Sequence, residues 1–465
     1  MISGINGVLN YINDFLYSNI LIVLLIAAGI YFTIRTKFVQ LRLFPEALRA
    51  ITERPDGQKV SSFQALMIST ASRVGTGNIA GITAAIVTGG PGAVFWMWVM
   101  ALIGAASAFV ESTLAQVYKS KDGDSFRGGP SYYIQKALGN RFFGVLFSIL
   151  LVFCFAYGFN ALHSYTISSS FEYYIDDYAH TIYPFLVGVA LTILTAVTIL
   201  GGVKRIGFIT SYLVPAMALV YMALGIFITV MNIQKVPQMF EMIFSNAFDF
   251  RSIFGGFAGS VVLIGIKRGL FSNEAGMGSA PNAAATADVS HPVKQGLVQI
   301  ISVFIDTILI CSTSAFIVLL SGVDLKCGLN GIPFVQAAVE NQIGSFGIHF
   351  ITFSVFTFAF TSIIGNYCYI ESNVLFIKNS KKLLNFVRAT CLLAVFLGSQ
   401  ASFGTVWDLA DVLMGLLAIL NIIAILLLGN TCFKVLNDYI NQRKSGKDPV
   451  FKPKELGIEN TEAWD

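Results

Sequence analysis

Residues 69–88 read STASRVGTGNIAGITAAIVT, Ser69 through Thr88. The stretch is apolar and long enough for a membrane span, yet Gly75-Thr76-Gly77-Asn78 breaks it near its middle. Two glycines around a threonine, followed at once by an asparagine, weaken a helix where lipid offers no substitute hydrogen bonds. The backbone groups so freed have to face a cavity, a ligand or an ion. A second break of the same kind lies far downstream at Gly269–Pro281, GLFSNEAGMGSAP. Two interrupted helices in corresponding halves of a hydrophobic chain point to a transport site at the membrane midplane.

The rest of the 465-residue chain suits that reading. Hydrophobic residues make up 55% of it and charged residues 12%, with a mean hydropathy of +0.71; soluble domains carry roughly a quarter charged residues. An ordinary soluble protein is excluded, the lipid bilayer is the expected surrounding, and no nucleic-acid partner is expected. Cys154, Cys311, Cys368, Cys391 and Cys432 lie in or beside apolar runs, and only Cys327 falls in a loop. That usage gives neither a disulfide framework nor a metal-ligand spacing. The start lacks the basic residues of a signal peptide, so the first apolar run is expected to be retained.

Apolar runs of spanning length, about 20 residues, fall near 17–35, 62–88, 92–118, 142–170, 183–201, 206–230, 254–280, 293–321, 346–377, 383–400 and 405–429. The fold class expected is an all-α polytopic membrane protein with about 11 transmembrane helices. Lys and Arg crowd alternate loops, and only Lys235, Arg251 and Lys326 fall in the opposite ones. The positive-inside rule then puts the N-terminus outside and the C-terminus in the cytoplasm, as an odd span count requires. With the first span peripheral, the remaining ten form two sets of five, each opening with a glycine-broken helix and starting on opposite sides of the membrane. That is the form of an inverted repeat. The expected organisation is residues 1–60 as peripheral span and inner amphipathic segment, 61–430 as transporter core (repeat one about 61–232, repeat two about 253–430) and 431–465 as cytoplasmic tail. Segments 234–252 and 332–344 read as short helices on the outer surface, or as loops packed on the bundle; segment 36–54 reads as a basic amphipathic stretch at the inner interface.

STASRVGTGNIAG with the downstream GGPGAVFWMW, and GIKRGLFSNEAGMGSAPNAAATADVSHPVKQG, resemble the two signature stretches of the alanine or glycine:cation symporter family, the sodium:alanine symporters. The resemblance runs from about Ile34 to Asn430. It implies the leucine-transporter (LeuT-type) fold, in which five helices repeat inverted and the first helix of each repeat is unwound. The extra N-terminal helix precedes that 5+5 core. The resemblance also implies a cell-membrane symporter.

An amino acid presents a carboxylate and an ammonium one carbon apart. A half-helix N-terminus offers free N–H groups and a positive dipole end to the carboxylate, while an unwound C-terminal end offers carbonyls to ammonium or sodium. Gly75, Thr76 and Gly77 are the candidate carboxylate holders, with Asn78 assisting substrate or a second ion. Phe271, Asn273, Gly276 and Met277 form the expected facing wall, Phe271 and Met277 closing on a small side chain. A glycine-rich crossing made for close packing is the plainer alternative. Thr361 and Ser362 are adjacent in one span. By resemblance to the fold's common sodium site, their hydroxyls join the carbonyls of Ala71, Val74 and Phe358 around a co-transported sodium ion. Adjacent hydroxyls in a membrane helix are otherwise back-bonded to the preceding turn. Asn366, one turn beyond Ser362, is a further substrate-site candidate.

The fourth span departs from the family pattern, with His163 where a glutamine is usual and Tyr165 where an asparagine is. His163 is read as pocket lining, against the plainer role of a packed core residue. Arg73, Glu111, Lys267, Arg268, Glu274, Asp306 and Glu371 are charges inside spans, each expected to be paired or water-facing. No nucleophile, acid–base or metal constellation suggests an enzyme. The expected function is sodium-coupled uptake of a small neutral amino acid, alanine or glycine, by alternating access. Glutamine or another neutral amino acid as substrate, or protons as coupling ion, are the near alternatives. An ion channel is the distant one, and the paired breaks argue against it.

Overall fold

The computed structural model describes residues 2–53, 59–123, 125–249 and 260–464. Its long elements in chain order are α1 (Gly7–Arg35), α2 (Phe44–Thr52), α3 (Ser62–Arg73), α4 (Gly77–Gly89), α5 (Ala93–Val117) and α6 (Pro130–Ala137). There follow α7 (Arg141–Ser169), α8 (Tyr183–Ile199), α9 (Gly202–Met231), α10 (Val236–Ala247) and α11 (Val261–Asn273). The last five are α12 (Pro292–Leu320), α13 (Gly331–Ile343), α14 (Phe346–Ile377), α15 (Lys381–Gly398) and α16 (Phe403–Lys444). By length and composition, α1, α5, α7, α12, α14, α16 and residues 205–231 of α9 can each cross a membrane, and α4 and α8 are shorter apolar helices. The chain is a multi-pass membrane protein of helices.

Local sequence sets where these helices begin. Ser61 opens α3 with a reciprocal capping box to Gln64; Asn140, Ser260 and Ser380 cap α7, α11 and α15. Packing then selects the centre. The apolar stretches of α5 and α14 are 67% and 72% buried inside the bundle, against 33% for α9 at its rim. Close crossings rest on missing side chains: a Cβ on Gly265 would stand 2.6 Å from the Ala93 carbonyl, and one on Gly296 would stand 2.8 Å from the Phe109 carbonyl. α5 is thereby held backbone-close to both α11 and α12.

Three differences from the sequence reading are local. The helix that continues into α1 begins at Ile2, well before the expected 17, and Tyr17 and Asn13 anchor α1 to the Asp411 and Asp408 carbonyls of α16. α16 runs unbroken through residue 430 to Lys444, so the expected core–tail boundary lies within a helix. The loop after α5 carries a small antiparallel hairpin, β1 (Ser120–Asp122) with β2 (Ser125–Arg127). The two surface segments do form helices, α10 and α13, and the inner amphipathic stretch forms Val39–Arg42 and α2. Residues 250–252 and 254–259 of the expected elements, and Arg54, lie outside the described residues.

Beyond α16 the chain folds back across the end of the bundle that carries the basic loops. Phe451 N–H donates to the Ser290 carbonyl at 2.9 Å, Asp448 pairs with Lys294 at 3.0 Å, and Glu462 pairs with Lys136 at 2.9 Å. The Trp464 indole donates to the Gln116 carbonyl at 2.8 Å.

Candidate functional site

Break one is real and local. α3 ends at Arg73, Val74 leaves the helical region with ψ 88°, and the chain resumes as a wide turn over Gly77–Gly81. The Gly75 N–H turns aside to the Asn78 side-chain oxygen at 2.9 Å, which leaves the Ala71 carbonyl without its helical donor. Ser362 of α14 fills that position. Its hydroxyl lies 2.9 Å from the Ala71 carbonyl, 3.3 Å from that of Val74 and 3.0 Å from that of Phe358. Four of the five expected sodium ligands therefore meet around one oxygen. Thr361 behaves differently: its hydroxyl donates back to the Phe358 carbonyl at 2.9 Å.

The two breaks face each other. A Cβ on Gly77 would lie 2.8 Å from the Phe271 ring, and one on Gly75 would lie 2.3 Å from the Ser362 hydroxyl and 3.0 Å from His163. Thr76 Oγ1 and His163 Nδ1 are 2.7 Å apart, and His163 Nε2 is buried without a hydrogen-bond partner. Gly75, Thr76, Gly77, Asn78, His163 and Phe271 thus form one constellation. Phe271 sits between Phe159 and Trp407, with ring centres 4.8 and 4.9 Å apart, so the side walls are aromatic.

The remaining candidates support the site from behind. Break two turns on Glu274, held at φ 53°, with Gly276 and Gly278 at φ 86° and 85°. Asn273 donates to Thr307 and accepts from the Ala275 N–H, so both ends of its amide shape the turn. Gly276 faces Ser107 and Ile422, and the Met277 N–H closes on the Glu274 carbonyl. Asn366 accepts from Ser72 at 2.6 Å and donates to Asn160 at 2.9 Å. Tyr165, partly buried, lies 6.2 Å from the Phe403 ring.

The sequence reading named several intramembrane charges whose partners only the structure gives, and it missed Asp411. Asp306, in a wide turn of α12, accepts from Asn78 at 2.7 Å, Ser272 at 2.8 Å and Thr307 at 2.9 Å, tying both breaks to one helix. It was legible as an intramembrane charge, but its partners were not. Glu111 of α5 accepts the Gly276 and Gly278 N–H groups at 3.3 and 3.1 Å and the Asn421 amide at 2.7 Å. Glu111 thereby clamps break two, and Arg73 donates to Gln299 at 3.4 Å. Lys267 and Arg268 share Asp411 of α16, at 2.8 and 3.0 Å, and the Arg268 guanidinium lies 4.2 Å from the Trp407 ring. That arrangement caps the aromatic wall over Phe271. Asp411, an acid inside an apolar run, carried the same signal as Asp306. Glu371 approaches Arg388 at 3.8 Å. Wide turns at Gly77–Gly81, Phe153–Phe159 and Phe304–Cys311 converge here, the kind of helical irregularity found at functional sites.

Chemically, the centre offers a cage of neutral oxygens beside the backbone of the Gly75–Gly77 break, enclosed by aromatic rings. This suits a small cation next to a small zwitterion. Among the described residues, no group of three or more His, Cys, Asp or Glu is arranged for a multivalent metal.

Residues 2–453 match the sodium:alanine symporter family. The chain is similar to the amino-acid carrier protein AlsT of Bacillus subtilis (strain 168), 49% identical over 467 residues that cover 100% of this chain and 99% of that one. It is also similar to the probable sodium/glutamine symporter GlnT of the same organism, 47% identical over 456 residues, covering 97% and 94%. Among solved structures, MhsT in complex with L-phenylalanine aligns with a TM-score of 0.52 at 15% identity, covering 82% of this chain and 100% of that one. At that identity the likeness carries the fold, and the fold is the LeuT type that the resemblance implied.

Proposed function

The chain belongs to the sodium:alanine symporter family, and on that premise we propose that it couples inward sodium flow to uptake of a small neutral amino acid, alanine or glycine. The observation that carries the reading is the Ser362 hydroxyl within 3.3 Å of the Ala71, Val74 and Phe358 carbonyls, one residue from the unwound Gly75–Gly77 backbone. Sodium bound there is coordinated by these oxygens, and the substrate carboxylate takes the Thr76 and Gly77 N–H groups and draws the Gly75 N–H away from the Asn78 side-chain oxygen. The ammonium faces break two. Phe159, Phe271 and Trp407 stack closely enough to favour a short side chain, with His163 at the edge of that compartment.

The N-terminus is placed outside and the C-terminus in the cytoplasm of the cell membrane, following the basic loops. The end bearing Arg268 and Asp411 is then the outer gate, and the folded-back tail lies inside. Transport proceeds by rocking the helices of both breaks against the rest of the bundle. Identity of 47% to a probable sodium/glutamine symporter favours glutamine as the second reading for substrate.

Uptake into proteoliposomes under separately imposed sodium and proton gradients tests both points. A sodium gradient alone should drive alanine or glycine accumulation. Accumulation driven only by the proton gradient would replace sodium as coupling ion, and selective glutamine uptake would replace the substrate.

A further inference from the structure

The strap that follows α16, residues 445–464, is fastened on two sides. On one side it is clasped to α16 itself. The Gln442 amide donates to the Val450 carbonyl at 2.9 Å, and its oxygen accepts the Val450 N–H at 2.9 Å. On the other side it is pinned to the loop 285–291, which joins the short helix Ala280–Ala284 after break two to α12. There the Ser290 carbonyl accepts the Phe451 N–H at 2.9 Å, and the Ser290 hydroxyl donates to the Pro449 carbonyl at 2.8 Å. Trp464 donates to the Gln116 carbonyl at 2.8 Å, while the Gln116 amide holds the Ala284 and Ala287 carbonyls at 2.6 and 2.9 Å. The Phe451 ring, 3% exposed, packs with its centre 5.5 Å from that of His291 and 5.1 Å from that of Trp464.

The strap lands where the two broken helices close on each other. The Asp288 N–H donates to the Val60 carbonyl at 3.0 Å, Lys59 pairs with Asp288 at 3.1 Å, and Gln295 donates to the Ser62 hydroxyl at 2.9 Å. These contacts shut the start of α3 against the loop after break two. Buried Lys294 extends the joint, pairing with Glu53 on the chain entering α3 and with Asp448 of the strap, at 2.8 and 3.0 Å. The Asp448 side chain is 71% exposed, so that pair adds little by itself, and the buried aromatic rings carry the docking.

We propose that residues 445–464 are an inner latch, which holds the broken helices against α16 and keeps the protein shut toward the cytoplasm until it lets go. The reason is the absence of slack. Val450 is clasped to α16 and Phe451, the next residue, is pinned to Ser290; neighbouring Cα atoms stand about 3.8 Å apart. If the helices of both breaks rock away from α16, one of these two anchors must break. His291, whose Nε2 lies 3.2 Å from Asp438 of α16, ties the same loop to the same helix and parts with them. Docking of the strap therefore stabilises the closed inner side, and its release accompanies each inward opening. The latch rests on the rocking motion and on the orientation proposed above.

The test loosens the strap in one variant of the full-length protein and locks it in another. With Phe451→Ala and Trp464→Ala combined, hydrogen exchange in nanodiscs should rise about tenfold over residues 59–66 and 285–295, beyond the strap itself. A rise confined to residues 445–464 overturns the latch, because the strap is then only packed on the surface. The locked form carries Ser290→Cys and Val450→Cys in a Cys327→Ser background, joined by a short bis-maleimide. Sodium-driven alanine uptake should fall about tenfold or more on cross-linking, while sodium-dependent alanine binding from outside persists. Uptake at the uncross-linked rate overturns the latch equally. Absence of sodium-driven uptake before cross-linking overturns the transport reading instead, and the exchange result then decides the latch without it.

Discussion

The Ser362 hydroxyl lies 2.9 Å from the carbonyl oxygen of Ala71, joining α14 to the broken helix at a carbonyl its own helix has released. One hydroxyl hydrogen serves one carbonyl at a time, yet three carbonyls stand within 3.3 Å of it. A small cation among these oxygens satisfies all of them together, with the hydroxyl turned to present its lone pairs.

Ser362→Ala should therefore raise the sodium concentration for half-maximal uptake about tenfold or more, a loss of about 1.4 kcal/mol. Thr361→Ala should do less, since that hydroxyl is spent on the Phe358 carbonyl. Sodium titration of alanine uptake checks both. Unchanged sodium dependence in Ser362→Ala would refute the cage.

His163 lies against break one through Thr76, with its second ring nitrogen unpartnered. His163→Gln should alter the ranking of alanine, glycine, serine and glutamine as competitors and leave sodium dependence intact. Thr76→Val should weaken binding of every substrate, as a buried hydrogen bond worth about 1 kcal/mol is lost. An identical ranking in the His163 variant makes that residue a packing group only.

Asp411 is fully buried beneath two cations. Asp411→Asn strips their counter-charge, a change that costs about 3–5 kcal/mol at buried pairs, and should open the outer gate. Cys311 is a native reporter at the centre, 3.3 Å from the Asn78 amide and 3.1 Å from the Ser272 hydroxyl. In a Cys327→Ser background, Cys311 should react faster with a membrane-impermeant thiol reagent from outside once Asp411 is changed. An unaltered rate counts against the gate.

Glu111 offers acceptors to two N–H groups of break two. Glu111→Gln keeps the size but turns one acceptor into a donor facing an N–H group. Turnover should fall more than affinity, because the turn must reform in each transport cycle. Glu111→Asp should recover part of it. Equal loss of both constants, or no rescue, would mark Glu111 as a folding residue alone.

The tail should stay docked at neutral pH. The Lys136 hydrogen bond holds the Glu462 carboxyl below its ordinary range. A depressed carboxyl contributes to docking above that range, and the contribution fades as pH falls through its lowered value. Glu462→Gln removes a surface pair worth roughly 0.2–1 kcal/mol, while Trp464→Ala removes the indole bond and its ring contact with Phe451. Hydrogen exchange over residues 451–464 should rise modestly in the first variant and strongly in the second. Equal protection in all three proteins would mean that the tail is held elsewhere.

The sequence alone determined the membrane class, the two breaks and the family, because each is written in short-range chemistry. Apolar run length reports a span, Gly-Thr-Gly-Asn reports a helix that cannot continue, and the signature stretches are contiguous. The oxygen cluster around Ser362 was also within reach, since the resemblance implied Ala71, Val74, Phe358 and Ser362 together. Tertiary structure alone decided the partners of the buried charges. Asp306 to Asn78 and Ser272, Glu111 to Gly276 and Gly278, and Asp411 to Lys267 and Arg268 are contacts between helices far apart in the chain. A span's composition shows that a charge must be satisfied, but helix rotation and crossing decide by which neighbour. Asn366 and Gly276 make the same point. Each lies in a motif that points to the substrate, yet helix packing turns Asn366 toward Asn160 and Gly276 toward Glu111.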